Sequence, residues 1–111
     1  MKKNTFIFIT LLFLFTQCAQ QKGVDFRTLA QQPGTALIDV RTVDEFDAGH
    51  IPQSVNIPLQ IFPESIKDLR EFDAIILICR SGNRSGQAKV LLQERGFENV
   101  FNGGGWESFQ K

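Results

Sequence analysis

The chain has 111 residues, with 12 Lys and Arg balanced by 12 Asp and Glu. That length suits one globular domain, and zero net charge gives no electrostatic case for binding nucleic acid. Charged residues at 22% and hydrophobic residues at 42% exclude a disordered chain and a polytopic membrane protein. Two cysteines and one histidine are too few for a four-ligand structural zinc site or a disulfide-dense mini-protein, so no metal or other cofactor is expected.

The apolar residues are unevenly spread. Lys2 and Lys3 precede a run from Phe6 to Phe15 broken only by Thr10. As a helix this run would span about 15 Å, half of the roughly 30 Å bilayer core. It is apolar on every face, unlike a surface helix. A basic start, a short apolar centre and a polar break predict a signal peptide over residues 1–17. The segment Leu14-Phe15-Thr16-Gln17-Cys18 resembles a degenerate bacterial lipobox, with Gln17 in place of the usual small residue and Phe15 in place of the usual leucine. The expectation is export to the periplasmic side of the cell envelope, lipidation at Cys18, a tether over 18–23 and a domain over 24–111.

From Val24 onward, helical and strand signals alternate. Asp25 is placed to cap a short helix through Phe26, Leu29 and Ala30, stopped by Pro33-Gly34. Ala36 to Val40 has the length and apolarity of a buried strand. Thr42 and Glu45 stand as N-cap and N3 of a capping box, starting a helix that Gly49 ends. Ser54 to Ile57 predicts a short strand, and Pro63 to Leu69 a helix with Pro63 in its first turn. Ala74 to Ile78 is apolar on both faces, as a central strand must be. Arg84 to Arg95 predicts a helix with Ala88, Leu91, Leu92 and Arg95 on one face, closed by Gly96. Asn99 to Phe101 predicts a last strand, before Gly103-Gly104-Gly105 and a terminal helical turn. The whole predicts an α/β fold, a central parallel β-sheet with helices on both faces.

Ligands of open parallel sheets bind at the carboxyl ends of the strands. After Ile78 stands Cys79-Arg80-Ser81-Gly82-Asn83-Arg84, ahead of a helix. A thiol there meets unpaired backbone N–H groups and the positive end of the helix dipole, which favour thiolate. Gly82 permits positive φ, so the loop can curl its N–H groups into an anion-binding nest. A buried core cysteine would continue the apolar strand instead of opening a loop rich in Gly, Ser and Arg. Arg80 fits a solvated surface as well as it fits donor binding.

At these residues the chain resembles the single-domain rhodanese-like sulfurtransferase family. The resemblance covers nearly all of 24–111 and runs in order through Leu37-Ile38-Asp39-Val40-Arg41, Glu45-Phe46, Gly49-His50-Ile51-Pro52, Asn56-Ile57-Pro58, the Cys79–Arg84 loop and the Asn99-to-Gly105 tail. The tail departs mildly, with Phe109 where the family often has tryptophan and Trp106 placed early. The family implies Cys79 as the residue that carries persulfide sulfur between a small-molecule donor such as thiosulfate and a thiol or cyanide acceptor. Arg80 and Arg84 are expected to attract the anionic donor, with Arg84 pinning the loop. Asp39 and Arg41, at the end of the first strand, are expected to support the loop. Arg41 and Glu45, four apart, are spaced for a surface pair worth about 0.3–0.5 kcal/mol. His50 is expected to make a local hydrogen bond, because a preformed thiolate needs no general base.

Loop length bears on the reaction. Cysteine phosphatases and arsenate reductases resemble this arrangement but use a loop one residue longer, a wider cradle for a tetrahedral oxyanion. A non-catalytic module binding a partner or carrying persulfide is the other alternative. The intact Cys79 argues against its non-catalytic form.

Overall fold

In a computed structural model, residues 23–110 are described; the segment expected to be a signal peptide and Cys18 lie outside them. Each apolar run from Thr35 onward forms a parallel strand. These are β1 (Thr35–Asp39), β2 (Val55–Asn56), β3 (Ala74–Cys79) and β4 (Val100–Gly105), in the order β2-β1-β3-β4.

The two central strands are apolar throughout because both of their faces are covered. Ala36, Ile38, Val40, Ile75, Leu77 and Cys79 line one face, and Leu37, Ile76 and Ile78 the other. Helix α1 (Phe26–Ala30) covers the second face with Phe26, Leu29 and Ala30, joined by Ile51, Trp106 and Phe109. The first face is covered by Phe62, Ile66 and Leu69 and by Ala88 and Leu92 of α4 (Asn83–Glu94). Helices therefore flank both faces, as the alternating pattern required.

Local signals set most boundaries. Asp25 caps α1, its carboxylate accepting from the Arg27 and Thr28 N–H groups. Thr42 and Glu45 close a reciprocal capping box on α2 (Val43–Ala48), each bond 3.2 Å. The helix expected over 63–69 is broken into a 3-10 turn (Leu59–Ile61), a four-residue α3 (Phe62–Ser65) and a second 3-10 turn (Ile66–Leu69). It starts earlier than expected because Phe62, fully buried, is its first apolar anchor. Pro63 has no N–H to donate and is tolerated in the first turn, where none is needed.

The last strand departs most from expectation, running through all three glycines to Gly105. Leu77 pairs with Asn102 and Ile78 with Gly104, so Gly103 is the extra residue of a β-bulge. A Cβ on Gly103 would lie 2.8 Å from Ile76 Cγ2 and 3.0 Å from Ile78 Cγ2. Glycine here allows close approach of two strands and does not end one.

Candidate active site

Strand β3 delivers Cys79 to the carboxyl edge of the sheet, the chain turns through Arg80 to Gly82, and α4 begins at Asn83. Gly82 has φ +102, which turns its N–H back onto Cys79 Sγ at 3.0 Å. The Ser85 hydroxyl lies 3.3 Å from the same sulfur. Burial pushes the thiol up, but the Ser85 hydroxyl and the N–H groups of Ser85, Ser81 and Gly82 outweigh it, leaving Cys79 below its ordinary value. The loop thus converges donors on one buried sulfur.

Asn102, displaced by the bulge in β4, ties this loop together. Its Nδ2 donates to the Gly82 carbonyl at 3.0 Å. Its Oδ1 accepts the Ser85 hydroxyl at 2.7 Å and the Gly104 N–H at 3.0 Å. Every side-chain polar atom of Asn102 that faces the loop therefore has a partner.

Arg84 makes a two-pronged ion pair with Glu45, Nη1 to Oε1 at 2.6 Å and Nη2 to Oε2 at 2.9 Å. The Arg84 hydrogen bond is the main cause holding the Glu45 carboxyl down to about 2, and Glu45 in turn raises Arg84. Arg84, expected both to attract the anionic donor and to pin the loop, thus presents to Glu45 of α2 the two terminal nitrogens of its guanidinium.

Asp39 and Arg41, expected to support the loop, stand one step removed from it. Arg41 Nε and Nη2 hold the Asp39 carboxylate at 3.0 and 2.8 Å, with both residues buried. The remaining Arg41 donors go to the Glu45 carbonyl at 3.3 Å and the Gly49 carbonyl at 2.7 Å, and the guanidinium lies 4.4 Å over the Trp106 ring. Arg41 thus braces α2, and α2 braces the loop through Glu45. No side-chain pair forms between Arg41 and Glu45, since Asp39 is nearer and better oriented. Asn56 locks the same strand end, donating to the Asp39 and Arg41 carbonyls.

Arg80 and Ser81 are exposed on the rim. Asn83, on the first turn of α4, accepts from Gln87 along the helix surface. Arg80 lines a groove of about 270 Å³ shared with Arg41, Glu45, Trp106 and Glu107. His50 bonds the Phe46 carbonyl at 2.8 Å and stacks on its ring, a local role as expected. The residues that sequence reasoning missed are Ser85, Asn102 and Glu45. Ser85 was detectable as a polar residue on the otherwise apolar stripe Ser85, Ala88 and Leu92.

A family model described as "Rhodanese-like domain" matches residues 24–111. The chain is 37% identical over 70 residues to the thiosulfate sulfurtransferase PspE of Escherichia coli (strain K12), covering 61% of this chain and 67% of that one. It is 39% identical over 66 residues to YrkF of Bacillus subtilis (strain 168), named for sulfur carriage, covering 60% of this chain but only 36% of that protein. Among solved structures, a "rhodanese with anions from E. coli" superposes with TM-score 0.62 at 35% identity, covering 66% of this chain and 88% of that one.

Proposed function

Because the chain belongs to the rhodanese-like family, whose members matched here include proteins named as sulfurtransferases, we propose that it moves sulfane sulfur through a Cys79 persulfide. The observation that carries this reading is the convergence of the Gly82 N–H and the Ser85 hydroxyl on a buried Cys79 sulfur. Such preorganised donors favour thiolate before reaction and a negative persulfide after it.

The chemistry has two steps, as in ping-pong covalent catalysis. Cys79 thiolate attacks the outer sulfur of an anionic donor such as thiosulfate. A new S–S bond forms, the donor's S–S bond breaks, and sulfite leaves with its electron pair. Cyanide or a thiol then attacks the outer persulfide sulfur, and the bonding pair returns to Cys79. Arg80, exposed on the rim, is the guanidinium open to the incoming anion. Turnover is tested by thiocyanate formation from thiosulfate and cyanide. Activity should be lost in Cys79→Ala, and activity retained in that variant would exclude Cys79 as the sulfur carrier.

We also propose that the domain is exported and anchored by lipid at Cys18, supported by Lys2, Lys3 and the short apolar run before it. Cys18→Ser should release the protein from membranes or block its maturation. Unchanged membrane association would argue for a hydrophobic anchor instead.

A further inference from the structure

The charges around the Cys79 loop are more evenly matched than the arginine-rich sequence suggests. Arg41 is neutralised by Asp39 inside the protein. Arg84 is neutralised by Glu45, at the surface, with about a third of each side chain exposed. The groove beside the loop carries Arg41 and Arg80 but also Glu45 and Glu107. With Arg84 in its ion pair, Arg80 is the one guanidinium on the loop whose charge is not met by a carboxylate among the described residues.

We propose that Glu45 is a specificity-determining residue: by occupying the Arg84 fork it lowers the site's attraction for dianionic donors and tunes it to singly charged sulfane donors such as an alkyl persulfide anion. This refines the donor class of the sulfurtransferase reading and rests on it. Three features of Glu45 support the role. Its carboxylate takes both terminal nitrogens of the guanidinium, Nη1 and Nη2, the geometry an incoming oxyanion would otherwise compete for. Its position is fixed from the other side by the Thr42 N–H at 3.2 Å and the Thr42 hydroxyl at 3.0 Å, so it cannot simply swing away. Its helix is braced by Arg41 through the Glu45 and Gly49 carbonyls. An anion arriving at the sulfur therefore meets a guanidinium with its charge already balanced.

The test is Glu45→Gln in the full chain, because glutamine retains a capping-box acceptor while removing the charge. Alkylation of Cys79 is followed with two probes of similar size, anionic iodoacetate and neutral iodoacetamide. Any change in thiolate fraction or in loop opening alters both rates together, so their ratio isolates the charge met by an incoming anion. The iodoacetate-to-iodoacetamide ratio should rise roughly threefold in Glu45→Gln at low salt, from the loss of one negative charge beside the loop, and the gain should shrink as salt rises. The KM for thiosulfate should fall. An unaltered or lowered alkylation ratio would overturn the proposal. Glu107→Gln, exposed in the same groove and outside the capping box, keeps the test open if Glu45→Gln folds poorly: its ratio should also rise, by less, and a fall there would count against a charge-balanced approach. The alkylation ratio reads the site whether or not sulfur is transferred, so this failure is distinct from failure of the sulfurtransferase reading.

Discussion

Replacing Ser85 with alanine should weaken the Cys79 thiolate without dismantling the loop. Ser85 is fully buried, and its single hydroxyl proton has two acceptors, Asn102 Oδ1 at 2.7 Å and Cys79 Sγ at 3.3 Å. With Cys79 protonated, the thiol can donate to Ser85 Oγ while the hydroxyl donates to Asn102. With Cys79 ionised, the hydroxyl can turn to the sulfur, and Asn102 Oδ1 keeps the Gly104 N–H. Alanine therefore removes a donor that serves the anion and leaves no buried acceptor empty. A hydrogen bond to a charged group contributes about 1.5–3 kcal/mol, and the low end suits a sulfur acceptor at this distance. About 1.4 kcal/mol is a tenfold change in thiolate fraction. Iodoacetamide alkylation of Cys79, followed against pH, should be about tenfold slower in Ser85→Ala on the acidic side of the midpoint. The midpoint should move upward and the two rates should converge in alkali, where both proteins are ionised. A profile that superimposes on the parent would refute the role given to Ser85, and so would an equal loss at every pH.

The other expectations concern the frame. Asp39→Asn leaves the Arg41 guanidinium buried without its anion and should cost about 3–5 kcal/mol, read from the urea midpoint. Gly103→Ala forces a Cβ against Ile76 and Ile78 across the bulge; it should destabilise by about 1–3 kcal/mol and reduce activity by displacing Asn102. Glu45 is held down to about 2 by Arg84, so its contribution is present above the ordinary carboxylate range and is lost as pH falls from about 4.5 towards 2. Discounted for its exposure, that contribution is about 1 kcal/mol. Acid titration of Tm should show it in the parent and not in Glu45→Gln.

Much of this was legible in the sequence because it depends on local chemistry. The Asp25 cap, the Thr42–Glu45 box and the both-sided apolarity of Ala74–Ile78 each follow from nearest-neighbour rules, and each is seen. The position of Cys79 at a strand end followed from the change of composition at Arg80. What could not be read were choices among long-range partners. Glu45 had Arg41 four residues away, yet its carboxylate pairs with Arg84, 39 residues along the chain. Arg41 instead takes Asp39, two residues away, because both are carried into the interior by the end of β1. Asn102 and the glycines after it read as a loop, since only the side chains of Ile76 and Ile78 in the facing strand reveal why glycine is required. Sequence spacing identifies the groups available for pairing; the packing of α2 against the loop selects among them.

The most direct test of the central claim is the intact mass of the full chain after incubation with thiosulfate. The mass should rise by one sulfur atom, located at Cys79, absent from Cys79→Ala and removed by cyanide with release of thiocyanate. No adduct from thiosulfate or from an alkyl persulfide, or an adduct that persists in Cys79→Ala, would contradict it.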